Sequence, residues 1–155
     1  RTWGWEEAGG SRSGNAQAIA RYTRTTQFFY ARMLPALHRA GVGVLAGSDA
    51  PIPALIPGFA LHDELRLFER SGIPPLEVLR IATAGAADAL GLGARRGRVV
   101  AGFDADLLLL DADPAGGVAA LARSAGVMVA GRWYAHTDLT IALTGLAERY
   151  RRGGP

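Results

Sequence analysis

The sequence predicts an α/β fold of which only a part is present. Three observations carry that reading. A short apolar run bounded by glycines, Gly41–Gly47, reads as a fully buried strand set among helices. A second, β-rich region begins after Gly93, and a helical stretch closes the chain. A lone buried strand leaves its backbone N–H and C=O groups without partners, so its neighbours are expected outside these 155 residues.

Taken in order, residues 1–13 are rich in Gly, Ser and Trp and read as irregular. From Asn15 to Ala40, Ile19, Tyr22, Phe28, Phe29, Met33, Leu34 and Leu37 recur at helical steps. Pro35 is expected to kink or divide that helix, and Gly41 to end it. After the strand, prolines stiffen the loop 51–58. A helix over about 60–70 carries Leu61, Leu65 and Phe68 on one face and ends at Ser71-Gly72. Pro74-Pro75 opens a third helix to Thr83, and a short alanine-rich helix, Ala84–Leu90, ends at Gly91. Gly97–Gly102, Ala105–Asp111 and Gly126–Ala130 read as strands. A hairpin turn at Ala130-Gly131-Arg132 returns through Trp133-Tyr134. Thr137 or Asp138 is expected to cap a last helix through Tyr150, followed by a loose tail.

Composition narrows the function classes. The chain has no cysteine, which excludes disulfides and thiolate metal sites. Its 17 basic residues are all arginine, and the net charge is only +3. Neither Arg95-Arg96-x-Arg98 nor Arg149-x-Arg151-Arg152 has interleaved aromatics, so no nucleic-acid partner is expected. No apolar run approaches the ~20 residues of a membrane span, and no membrane partner is expected. The chain opens on arginine rather than methionine, which reads as a processed, truncated or excised segment.

Most local motifs fail on spacing. Gly41-x-Gly43-x-x-x-Gly47 and Gly91-x-Gly93-x-x-x-Gly97 are each one residue too long for a dinucleotide-binding fingerprint. A phosphate-binding loop of the Walker type needs a lysine, and there is none. His38, His62 and His136 form no H-x-H or H-E-x-x-H pair. His38 lies near a helix end, where it complements the dipole, and His136 reads as a surface residue. Asp63 and Glu64 read as first-turn acids at the positive end of a helix. Asp104, Asp106, Asp111 and Asp113 read as turn and strand terminators, without calcium-loop spacing.

Two residues are left as candidates. Asp49 follows the carboxyl end of the buried strand, the place where α/β folds put chemistry, and it also suits a turn. A carboxylate there can ligate a metal or move a proton. His62, at the start of the following helix, can face the same cavity as Asp49 or serve as a cap in solvent.

Three segments in order then resemble the carboxyl-terminal part of the amidohydrolase superfamily, near its imidazolonepropionase-like and metal-dependent branches. LHRAGVGVLAGSDAPIPALIPGFALHDELRLF (37–68) resembles the last barrel strand, its Gly-Thr-Asp loop and a Leu-His-x-Glu-Leu helix. SGIPPLEVLRIATAGAADALGL (71–92) resembles the two helices that follow. GRVVAGFDADLLLLDADP (97–114) and VMVAGRWY (127–134) resemble the closing Gly-x-Ile, Ala-Asp-Leu and Val-x-x-Gly-Arg strands.

The resemblance implies a C-terminal fragment of a (β/α)8 TIM-type hydrolase barrel plus strands of a small composite β-sandwich. Residues 1–92 would end the barrel, 93–136 would supply sandwich strands, and 137–155 would form a helix and tail. Family members use one or two divalent ions, usually zinc, to activate water for attack on amide, cyclic amide or related C–N bonds other than peptide bonds. Asp49 then matches the metal ligand and proton shuttle, and His62 matches a frequent histidine with a substrate-binding role. The family's other ligands come from earlier strands, so the chain alone is expected to be inactive. The implied partners are a small amide-type substrate and the missing N-terminal part of the barrel. A homo-oligomer is compatible with this, and the expected location is cytoplasmic. The alternatives are a non-catalytic relic acting as an interaction module and a small stand-alone binding domain.

Overall fold

The computed structural model describes residues 21, 24–50 and 56–152. The expectations for residues 1–13, for 15–20, for the prolines of 51–55 and for the last three residues lie outside the described residues.

Residues 24–39 form one continuous helix whose middle, Phe29–Met33, widens into a π-turn before α1 (Leu34–Arg39). Pro35 is the physical reason for a local irregularity: it lacks the N–H that a regular turn would use, and a π-turn is one way to absorb that defect without breaking the helix. Helix α2 is Phe59–Arg70. Helix α3 (Pro75–Arg80) runs through a second π-turn, Ile81–Gly85, into α4 (Ala86–Ala89), so the two short helices expected over 76–90 are joined end to end. Three of these helices stop in the same way. Gly41, Gly72 and Gly91 take positive φ of 76°, 96° and 72°, and the next residue's N–H reaches back five residues: Val42 to Leu37, Ile73 to Phe68, Leu92 to Ala87. This is the Schellman closure that only glycine adopts without strain.

The core is helical. Leu34 of α1, Leu65 and Phe68 of α2, Ile73, Val78 of α3, Ile81 and Val118 form one buried cluster, with Tyr30, Val44, Ala46 and Leu121 packed against it. Full burial of each such aliphatic or aromatic side chain is worth about 1.5–3 kcal/mol.

The β region is a three-stranded antiparallel meander, β1 (Leu107–Leu110), β2 (Ser124–Val129) and β3 (Arg132–Ala135). Leu108 pairs with Val127, and Val127 with Tyr134. The β2–β3 turn places Ala130 and Gly131 at φ 49° and 80°, the paired left-handed residues of a type I′ hairpin, as the Ala-Gly-Arg turn predicted. Asp106 accepts the Ala130 N–H at 2.7 Å and ties that turn to the start of β1.

Three expectations are corrected. Gly97–Gly102 is not a strand. Gly97 is held at φ 84° against the helix, and Arg98 leaves the backbone direction to grip Asp88 and the Gly93 carbonyl, so the segment turns and Val99 is 86% exposed. Helix α5 (His136–Arg151) starts one residue after β3, with Ala135 as its cap and no side-chain hydrogen bond from Thr137 or Asp138. Helix α2 starts at Phe59, so Asp63 and Glu64 lie in its second turn, beyond the first-turn dipole site. Among the described residues no helix is long and apolar enough to cross a membrane.

Candidate active site

Gly41–Gly47 was expected to be a fully buried strand; residues 42–50 are assigned to no helix or strand, pair with no strand among the described residues, and are half-buried at most. Their burial alternates. Val44, Ala46, Ser48 and Ala50 are half-buried, with Val44 and Ala46 against the helical core. Leu45, Gly47 and Asp49 face away and are exposed. That two-residue period is what an extended chain packed on one face must show. The open face carries Asp49.

Asp49 sits at φ 53°. For a residue other than glycine this left-handed conformation is uncommon, and Asp is among the few that accept it. Strain of this kind costs on the order of 1–3 kcal/mol and clusters at functional sites. Among the described residues no hydrogen bond or ion pair engages the Asp49 carboxylate. It is presented free, at the end of a backbone segment that is held by its other face.

What holds that segment is a side chain the sequence reading assigned to a helix dipole. Glu64 of α2 accepts the Gly47 N–H through Oε2 at 2.9 Å. Burial pushes the Glu64 carboxyl up, and the Gly47 N–H partly offsets this by favouring the charged form. A signal for this was available. Glu64 stands four residues before the buried Phe68, so it is an acid one turn from a core position; Leu61, expected on the same apolar face, is exposed.

His62 goes elsewhere. Two helical positions differ by about 200° around the axis, so His62 and Glu64 project to nearly opposite sides of α2. His62 is half-buried and lines a cavity of about 640 Å³ between α2, the sheet and α5, with Arg66, Leu108, Val127, His136 and Leu139 on its walls. Arg66 pairs with Asp63 at 2.8 Å at the same wall. Asp49 is not among the residues lining that cavity. The structure therefore does not bring the two candidates of the sequence together. His136 is exposed, as read from the sequence, and also borders this cavity. Among the described residues no group of three His, Asp or Glu side chains is placed to hold a metal ion.

An unpaired segment packed on a helical layer, with an aspartate near its end, and a small antiparallel sheet downstream make a mixed α/β arrangement among the described residues. The comparison with known proteins makes it specific. The amidohydrolase family model matches residues 28–134, and the chain belongs to that family. A solved amidohydrolase structure is 30% identical with a TM-score of 0.59, over 68% of this chain and 25% of that one. A structure described as a putative prolidase from Bifidobacterium longum is 32% identical with a TM-score of 0.60, over 72% of this chain and 29% of that one. The amidohydrolase tasK of Hapsidospora irregularis is 47% identical over 45 residues, which are 29% of this chain and 5% of that protein. The chain thus spans less than a third of the solved relatives' length. The prolidase-like neighbour also removes the ground for restricting the reaction to C–N bonds other than peptide bonds.

Proposed function

We propose that this chain is the carboxyl-terminal part of an enzyme that hydrolyses a C–N bond of a small amide, cyclic amide or dipeptide, and that Asp49 is its contribution to the reacting centre. In this reading residues 42–47 are the last strand of a (β/α)8 barrel. The half-buried face carrying Val44 and Ala46 packs on the outer helices. The exposed face carrying Leu45, Gly47 and Asp49 looks into the barrel. The sheet β1–β3 belongs to a composite β-sandwich.

The observation that carries the proposal is Asp49 itself: a free carboxylate in a left-handed conformation at the carboxyl end of an extended segment, where barrel enzymes place their chemistry. The described residues do not by themselves make a metal site, because a catalytic zinc takes three protein ligands and Asp49 supplies one. A divalent ion such as zinc, if the whole protein holds one or two, draws its other ligands from outside this chain. Asp49 Oδ is then available as one ligand and as the group that takes a proton from the attacking water and returns it to the leaving nitrogen. His62 stands on the wall of the cavity between α2 and the sheet, and its proposed substrate contact depends on that cavity opening toward the substrate. A non-catalytic interaction module has no specific observation in its favour.

Asp49→Asn in the whole protein tests this. The side chain is nearly isosteric and exposed, so the thermal melt should hold. The loss of a general base should lower kcat by at least about 10²-fold. A variant that melts normally and turns over at the wild-type rate would reduce Asp49 to a turn residue.

A further inference from the structure

We infer that Glu64 is a positioning residue for Asp49: by accepting the Gly47 N–H it fixes the backbone two residues before the aspartate and so sets where the Asp49 carboxylate points. The inference rests on the catalytic reading of Asp49.

Among the described residues the segment has few other anchors. Val42 still belongs to the α1 closure through its hydrogen bond to Leu37. From there to Ala50, the bond from Gly47 N to Glu64 Oε2 is the one hydrogen bond among the described residues that ties the segment to another element. Among the described residues a Cβ added to Gly47 would meet nothing within 4 Å, and Gly47 is not among the positive-φ glycines. The acceptor is built on a rigid element. Leu65, the neighbour of Glu64, and Phe68, one turn on, are both buried in the core, so the carboxylate has little freedom to drift. Two residues beyond that bond the chain enters the left-handed conformation at Asp49. Such a conformation persists only when its surroundings over-determine it, and among the described residues the Glu64 bond is the constraint nearest to it.

Misplacing a reacting group by about 1 Å can cost on the order of 10²-fold in rate. The experiment uses the whole protein with Asp49→Asn, Glu64→Ala and Glu64→Gln, measuring kcat, KM and the thermal melt for each. Gln keeps an oxygen that accepts the Gly47 N–H, whereas Ala does not. Glu64→Ala should lower kcat about 10- to 100-fold with KM little changed, and Glu64→Gln should restore most of it. A Glu64→Ala enzyme with wild-type kcat, beside an inactive Asp49→Asn, would overturn the inference and leave the Asp49 reading standing. A Glu64→Gln enzyme as impaired as Glu64→Ala would also overturn it, because the charge and not the hydrogen bond would then matter. Full activity of Asp49→Asn would overturn both readings. Should Glu64→Ala fail to fold, hydrogen exchange at the Gly47 amide of the wild-type protein decides: slow exchange supports the bond, and exchange at the rate of an open loop overturns it.

Discussion

Gly97 and Gly102 offer a matched pair for separating two costs that usually come together. Both have left-handed backbones, φ 84° and 89°. A Cβ at Gly102 would meet nothing within 4 Å. At Gly97 it would lie 2.8 Å from the Ala87 Cβ, 2.8 Å from the Thr83 carbonyl oxygen and 2.9 Å from the Ala84 Cα. None of these is the end of a flexible side chain, so the segment or the helix must move. Gly102→Ala should therefore cost only the left-handed penalty, about 1–2 kcal/mol. Gly97→Ala should add an overpacking cost of about 1–3 kcal/mol, for a total of about 2–5 kcal/mol. That is a sizeable share of a domain stability of about 5–15 kcal/mol. Urea unfolding of the whole protein, followed by tryptophan fluorescence, is the assay. An excess of about 2 kcal/mol should separate the two midpoints by roughly 1 M, given typical slopes of about 1–3 kcal/mol per molar. Equal losses in the two variants would show that residue 97 does not lean on the helix at Ala84 and Ala87, and the account of why residues 97–102 fail to form a strand would go with it.

Two further outcomes are expected. Burial raises the Glu64 carboxyl above its usual value, so the folded state carries a penalty for ionising it: that contribution to stability is whole below the unfolded-state value of about 4.5 and is lost as pH rises through the higher folded value. The Arg80 hydrogen bond holds Glu77 low and gives the opposite slope in a neighbouring window, so the measurement is the difference in stability between wild type and Glu64→Gln across pH 4–7, which should fall as pH rises; a flat difference would refute it. The chain of residues 1–155 on its own should self-associate, because Leu109 and Trp133 on the two edge strands and Ile141 and Leu143 on α5 are exposed. Sedimentation at several concentrations checks this, and a monodisperse monomer that unfolds cooperatively would count against the missing-neighbour argument.

The helices were legible because their signals are local. Gly41, Gly72 and Gly91 mark three ends by backbone conformation alone, and Leu65, Phe68 and Val78 keep helical phase into a common core. The Ala-Gly turn of the hairpin was legible for the same reason. The strand at 97–102 was not, because alternation in Arg98-Val99-Val100 cannot reveal that Arg98 has a fixed partner in Asp88, ten residues upstream. The α5 start was misplaced because Thr137 and Asp138 are good caps by type, and no side chain caps that end. Asp49 could be picked out because its place after an apolar run is a sequence fact. The grouping around it could not, since Glu64 reaches the Gly47 N–H 17 residues away, and His62, two positions from Glu64, projects to nearly the opposite side of the helix.

Helix α2 accounts for how a segment with no strand partner among the described residues is tied down beside Asp49. Leu65 and Phe68 anchor the helix in the core. Glu64 extends from that anchored stretch to the Gly47 N–H, and Glu69 extends to the Val118 N–H at 3.3 Å, 49 residues downstream. One helix thus carries two carboxylates that each satisfy a backbone donor in a different segment, one leading to Asp49 and one opening the 3-10 turn Val118–Ala122 that precedes β2. Its remaining face supplies His62, Asp63 and Arg66 to the cavity against the sheet. Leaving the part-buried Val118 N–H without an acceptor costs about 1–3 kcal/mol, and the exposed Gly47 bond adds a smaller restraint on the movement of α2. Substitutions in its core, at Leu65 or Phe68, should consequently disturb the position of Asp49 without touching it, and Glu64 is the shortest path by which that disturbance travels.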